Sequence, residues 1–223
     1  MDKKIAVKAI LEKIKNENDG QHIDYMVPGY TSKKLKTYQS MRGDLIICRD
    51  ATVRLIAEKF DHTITTSLYH TIIVLYGKCF TDASSSKSPK LEIKDCFDEN
   101  NEELYIIHKD IIDLRNNFAA HRGSTEHEVG LAYLKLNIKD FSRQVRVKQL
   151  KRRMPKDTDL PLYLKLFDHL IVLVEKKFER EGNKVWDHML NEYTAEDLAM
   201  FKIAGPKVEP IKIDNKTVSN ENE

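Results

Sequence analysis

A chain of 223 residues, 41% hydrophobic and 32% charged, has the make-up of one ordinary folded domain with strongly solvated faces. Its formal net charge of +2 is too small for a general nucleic-acid binder, so any basic surface must come from local clustering. No apolar run approaches the roughly 18 residues of a membrane span. The N-terminal MDKKIAVKAILEKIKNEND lacks the apolar centre of a secretory signal, so the expected compartment is the cytoplasm, with no membrane partner.

In chain order, residues 3–17 suit a short amphipathic helix with Val7, Ile10, Leu11 and Ile14 on one side. A loop through Gly20, Pro28 and Gly29 follows, with Thr31 or Ser32 placed to cap the next helix. That helix is expected over 33–61, where Tyr38, Met41, Leu45, Cys48, Thr52 and Leu55 recur at alternating spacings of three and four. A well-buried helix over 64–80 carries Ile64, Leu68, Ile72, Leu75, Tyr76 and Cys79 on one face. TDASSSKSPK reads as a loop, and Pro89 starts a short turn or helix through Phe97. Residues 102–122 form the next helix, with Leu104, Ile107, Ile111, Leu114, Phe118 and His121 along its seam.

After Gly123 the period changes to two. Ala132, Leu134 and Leu136 alternate with Leu131, Tyr133 and Lys135, and Val145 and Val147 alternate with Arg146 and Lys148. The stretch 129–150 is therefore a β-hairpin connected by KDFS, and it must lean on the helices because a lone hairpin is marginal. A last long helix is expected over 160–181, begun by Asp157 or Asp159, with a short one near 183–192 that uses Trp186 for packing. The expected class is mainly α: an up-down bundle of about four long helices, with one hairpin between the third and fourth. Residues 1–32 make an N-terminal helix and loop, 33–192 the bundle, and 193–223 an extension that is largely a polar tail.

The stretch DLRNNFAAHRG, 113–123, raises the functional question, because it sets Arg115, two asparagines and His121 on an otherwise apolar helix. At about 100° per residue, Arg115 and His121 flank the apolar seam on opposite sides. Asp110 and Asn117 share the His121 edge, and His108 and Arg122 share the Arg115 edge, while Asn116 points nearly opposite the seam. Two arginines beside a histidine suit a phosphodiester. Imidazole titrates near neutrality, and Asp110 or Asn117 could set the His121 tautomer. Within one chain Arg115 and His121 are about 9 Å apart along the axis, so a second copy across a twofold axis would bring them together. The plainer alternative is helix termination: His and Arg complement the helix dipole, and Gly123 caps it.

LRNNFAAHRG, late in the third long helix of a bundle, resembles the signature of the HEPN superfamily (higher eukaryotes and prokaryotes nucleotide-binding): an Arg, a polar residue, then His after four to six positions. With LYGKCFTD upstream, it looks most like the abortive-infection branch. The resemblance implies a small helical bundle that forms a homodimer. It implies a metal-independent endoribonuclease of phage defence or stress response, in some cases held by an antitoxin protein, that uses the RNA 2′-hydroxyl as nucleophile and leaves a cyclic phosphate. Carried over, His121 is the acid/base, Arg115 holds the phosphate and Asn116 assists, with Asp110, Asn117 and Arg122 in support. Some toxin-type members carry Tyr two positions after the His, where this chain has Gly123. The alternative within the resemblance is a non-catalytic module that binds RNA, nucleotide or protein.

Arg143, Arg146, Lys148, Lys151, Arg152, Arg153 and Lys156 form the one strong basic cluster, and Arg146, Lys148, Lys151 and Arg152 are the candidate RNA contacts. The alternative is an edge strand protected by charge. Cys48, Cys79 and Cys96 are widely spaced and read as reduced thiols near a core. Neither they nor His62, His70, His169 and His188 have metal-ligand spacing, so no metal and no cofactor is expected.

Overall fold

The computed structural model describes residues 3–81, 88–119, 128–139, 142–151 and 155–205. The protein is mainly helical, with two small two-stranded sheets. Among the described residues no helix is long and apolar enough to cross a membrane. The chain divides into two compact units, one of residues 30–184 and one joining the first 29 residues to those from 185 onward.

The larger unit begins with α2 (Gly29–Ala57) and α3 (His62–Phe80), where α1 denotes the N-terminal helix Lys3–Glu17. The α2 helix starts and ends four residues earlier than periodicity suggests, so Thr31 and Ser32 lie inside it rather than capping it. Its seam is as the spacing predicts, with Tyr38, Met41, Leu45, Cys48 and Thr52 all buried. Thr52 loses no hydrogen bond there, because its hydroxyl donates to the Cys48 carbonyl at 2.8 Å. Asp61 starts α3 by accepting from the Thr63 and Ile64 amides, two of the donors a helix start leaves unpaired.

A short helix α4 (Ile93–Cys96) and a 3-10 turn (Glu99–Asn101) lead into α5 (Glu102–Asp113). Here the structure corrects the expectation of one regular helix over 102–122. The regular helix ends at Asp113, and residues Leu114–Ala119 form a π-helical turn. The hairpin β2 (Glu128–Leu136) and β3 (Arg143–Lys151) follows, and α6 (Leu160–Gly182) closes the unit, with proline in its first turn. Tyr69, Ile72, Ile73 and Tyr76 of α3 share one core with Ile111, Leu114 and, from α6, Tyr163, Phe167 and Leu170. Ion pairs tie α2 to α6: Lys34 to the buried Glu181 at 3.0 Å and Arg42 to Glu175 at 2.7 Å. The cysteines Cys48, Cys79 and Cys96 are free and buried.

The hairpin has the expected register, with Leu134 opposite Val145 and Tyr133 opposite Arg146. Among the described residues it does not lean on the helices as expected. Leu134, Val145 and Val147 are 57%, 78% and 68% exposed, so the face that alternation marks as inward is open. Strand period places apolar residues on one face, but it does not supply the surface that would cover them.

The smaller unit contains α1, a strand β1 (Asp24–Tyr25), α7 (Val185–Glu192), α8 (Ala195–Phe201) and β4 (Lys202–Ala204). Residues 24–25 and 202–204, expected from sequence as loop and as part of an extension, pair instead as β1 with β4, antiparallel across a bulge. A capping box starts α8, in which Thr194 and Asp197 each bond the other's backbone amide. Gly205, at φ +115, lies against the chain at His22, where a Cβ would stand 2.5 Å from the His22 carbonyl oxygen. Trp186 is 55% exposed rather than packed, and Val7 and Ile10 of α1 are exposed as well.

Candidate functional site

The π-helical turn decides where the motif residues point. A regular α-helix closes i to i−4 bonds, and a π turn closes i to i+5, which adds a residue to the turn and rotates everything after it. Leu114 is fully buried and anchors the turn in the core. Arg115 follows it, and Arg115 Nη1 donates to Asn116 Oδ1 at 2.9 Å. Both side chains line one cleft of about 340 Å³, so Asn116 is not turned away as a regular helix would turn it.

Gly77 makes this possible from the opposite wall. It lies in the interior of α3, where glycine costs about 0.5–1 kcal/mol relative to alanine. A Cβ there would stand 2.7 Å from Arg115 Cγ and 3.1 Å from Cδ. The missing side chain lets the aliphatic stem of Arg115 lie directly across α3. The third wall is the segment entering α4, and the Leu91 amide ties it to α3 by donating to the Cys79 carbonyl at 2.9 Å. Lys90, Glu92, Phe80 and His108 complete the cleft, with Lys90 and Glu92 loosely paired at 3.9 Å.

His108 shares the cleft with Arg115, as the helical spacing predicts, and its environment sets its chemistry. It is 3% exposed, with the rings of Phe80 and Phe97 at 4.5 and 5.0 Å between centroids. Its Nδ1 bonds the Tyr76 hydroxyl at 2.7 Å. Burial pushes the His108 pKa down to about 4 and the Tyr76 phenol well up, so both are neutral at pH 7. Tyr76 is fully buried and its hydroxyl has His108 as its partner among the described residues. Its O–H therefore donates to Nδ1, and the ring proton sits on Nε2.

The remaining motif residues are placed as follows. Asp110 is half-buried on α5 and does not line the cleft. Asn117 belongs to the π turn, but its side chain, like all of His121 and Arg122, lies outside the described residues. On the hairpin, Arg146 and Lys148 share one exposed face with Tyr133 and Lys135, while Lys151 ends β3 without a described side chain and Arg152 lies outside the described residues. Of the isolated histidines, His169 Nε2 donates to the Cys96 carbonyl at 2.7 Å and His188 faces Glu192 at 3.2 Å. Among the described residues no group of three His, Cys, Asp or Glu side chains converges as a metal site would.

Sequence reasoning missed Gly77, Phe80, Lys90 and Glu92, which reach the cleft from other elements. One signal was available: a lone glycine inside the dense apolar run TIIVLYGKCF marks a close approach of another chain segment. The assembled cleft offers a guanidinium already oriented by an amide, a second cation at Lys90, a neutral imidazole and an aromatic wall. That combination suits an anion attached to a flat ring. Comparison with protein-family models, with curated proteins and with solved structures finds no match to this chain.

Proposed function

We propose that this protein is a HEPN-type, metal-independent endoribonuclease. Arg115 holds the scissile phosphate and its developing charge, His121 moves the proton as acid/base, and Asn116 keeps the guanidinium in place, with Asp110, Asn117 and Arg122 in support. The 2′-hydroxyl of the substrate is the nucleophile: its oxygen bonds to phosphorus, the 5′-oxygen leaves with a proton, and a 2′,3′-cyclic phosphate remains. In this reading α2, α3, the α5 segment and α6 form an up-down bundle. The working unit is a cytoplasmic homodimer in phage defence or stress response, open to control by an antitoxin protein, and RNA also contacts the basic hairpin through Arg146, Lys148, Lys151 and Arg152.

The observation that carries the reading is the Arg115–Asn116 bond of 2.9 Å at the mouth of the cleft. It supports the reading because it sets a guanidinium and an amide side by side on the same cleft, where both can meet a phosphate. A second reading, a HEPN module that binds nucleotide or RNA without cleaving it, draws on the neutral, buried state of His108 in the cleft.

The test is cleavage of a broad RNA panel by the full chain. Wild type should cut in the presence of EDTA and leave 2′,3′-cyclic phosphates. His121→Ala should abolish cutting with an unchanged melting temperature. Arg115→Ala should abolish cutting and also weaken binding, because the guanidinium meets phosphate in ground and transition states alike. Wild type that binds RNA but never cuts it, with both variants binding equally well, would leave the non-catalytic module in its place.

A further inference from the structure

A second cleft, of about 320 Å³, lies on the other flank of the α3 C-terminal end and is lined by Lys33, Lys36, Ser40, Asp44 and Lys78. Its lysines are differently committed. Lys34, between Lys33 and Lys36 in sequence, is clamped to Glu181 at 3.0 Å and serves to hold α2 on α6. Lys33 and Lys36, one turn apart, have no ion-pair partner among the described residues. Lys78 is paired with Asp44 at 2.7 Å. Among the described residues, three lysines face one carboxylate in this cleft, in a chain whose total charge is only +2.

The two clefts are separated by a single ridge. Thr81 lines both. Along α3, Gly77 and Phe80 face the Arg115 cleft while Lys78 and Cys79 face the lysine cleft. The segment bonded to this helix end repeats the division, with Lys90 and Leu91 on the first side and Ser88 and Pro89 on the second. One side thus offers an aromatic wall and a guanidinium, and the other offers lysines and hydroxyls.

We infer that a single strand of RNA crosses the C-terminal end of α3, with one unstacked base in the Arg115 cleft and the phosphates of the adjoining nucleotides on Lys33, Lys36 and Lys78. The inference rests on the RNA reading above and names its substrate class as single-stranded. Each cleft has room for about one nucleotide unit, and a base can enter the first only when it is free of a duplex. Unpaired bases set against aromatic rings, with a cationic track for the backbone, are the usual physics of single-strand binding.

The experiment uses the full chain, a 5′-fluorescein single-stranded RNA heptamer of mixed sequence, the same sequence as a duplex, and free ADP. Lys33→Gln with Lys36→Gln keeps side-chain length and helix propensity. The control, Lys8→Gln with Lys15→Gln on α1, makes the same charge change elsewhere. The double variant should bind the heptamer about tenfold more weakly at moderate salt. Its slope of log affinity against log salt should fall by about 1.4, from roughly 0.7 for each single-strand phosphate that a lysine no longer neutralises. The control should bind as wild type, and the duplex should bind more weakly than the heptamer. Unchanged affinity and slope in the double variant would overturn the inference, as would an equal loss in the control or a preference for duplex. Loss of ADP affinity with heptamer affinity intact would make the cleft a mononucleotide site and overturn the strand path. Cleavage is scored separately. A double variant that binds and cuts like wild type sinks the path and spares the ribonuclease reading, whereas lysine-dependent binding without any cutting does the reverse.

Discussion

Gly77 and Arg115 approach so closely that a methyl group on Gly77 would stand 2.7 Å from Arg115 Cγ. This approach of α3 to the π-helical turn sets where the guanidinium lies, and it reverses the usual sign of a common substitution. Gly→Ala inside a helix ordinarily stabilises by about 1 kcal/mol. Here the added methyl must push the Arg115 stem off α3, and overpacking of that kind costs about 1–3 kcal/mol. Gly77→Ala should therefore leave the melting temperature unchanged or lower, never higher, and should weaken RNA binding along with Arg115→Ala. A clear gain in melting temperature with full RNA binding would show that the Arg115 stem does not rest on Gly77.

The burial of His108 makes stability depend on pH. The folded His108 pKa is about 4, and an unfolded histidine titrates near 6.5. Between those values the unfolded chain binds the extra proton, so stability rises with pH across the window and is lost as pH falls through it. The contribution is up to about 3 kcal/mol. His108→Gln should cost stability at pH 7 and much less at pH 4.5, read by urea unfolding at both values. A constant difference would mean that His108 does not titrate in this window.

Tyr76→Phe removes the donor to Nδ1 while preserving the ring. It leaves a buried imidazole nitrogen without its partner, at a cost of about 1–3 kcal/mol. If the ring drops toward solvent in the variant, its folded pKa rises toward that of the unfolded chain, and stability should fall less steeply on acidification than in wild type. A variant as stable as wild type would indicate that water replaces the hydroxyl.

The exposed basic face of the hairpin gives a salt-dependent prediction. Neutralising Arg146, Lys148, Lys151 and Arg152 together should reduce the log–log salt slope of single-strand binding by about 0.7 for each phosphate these side chains neutralise. The same measurement with an unaltered slope would reduce these charges to protection of an open strand edge.

The proposed function includes a homodimer, and the mass in solution tests it. Light scattering at tens of micromolar, a range in which weak self-association is visible, should give about twice the 25.9 kDa of one chain. A monomer at that concentration would require both residues of a working site to come from one chain.

The legible and illegible parts of this protein divide along a physical line. The α2 seam, the α6 helix and the alternation of the hairpin were readable because each is a local period: side chains three, four or two apart share a face whatever the rest of the chain does. The burial of Cys48 and Cys79 followed from their places on helical seams, and that of Cys96 from the general tendency of free cysteine to be buried. The motif Arg115-Asn116 was readable as residue types at a spacing, but its direction was not. A regular helix turns Asn116 from the seam, and only the π turn at Leu114–Ala119 brings it to the cleft beside Arg115.

Sequence by itself thus determined the long helices and the hairpin, the apolar seams of α2, α3, α5 and α6, and the spacing of Arg115 and Asn116 at the end of α5. Tertiary structure alone decided that Gly77 yields its space to Arg115, that burial against Tyr76 and the neighbouring rings holds His108 neutral, and that residues 24–25 and 202–204 pair. It also decided that the apolar hairpin face around Leu134 and Val145 stays open. The reason is the range of the forces. Backbone periodicity is set within one or two turns, whereas close approach and desolvation depend on which distant segment arrives opposite, and that is chosen by the packing of the whole core.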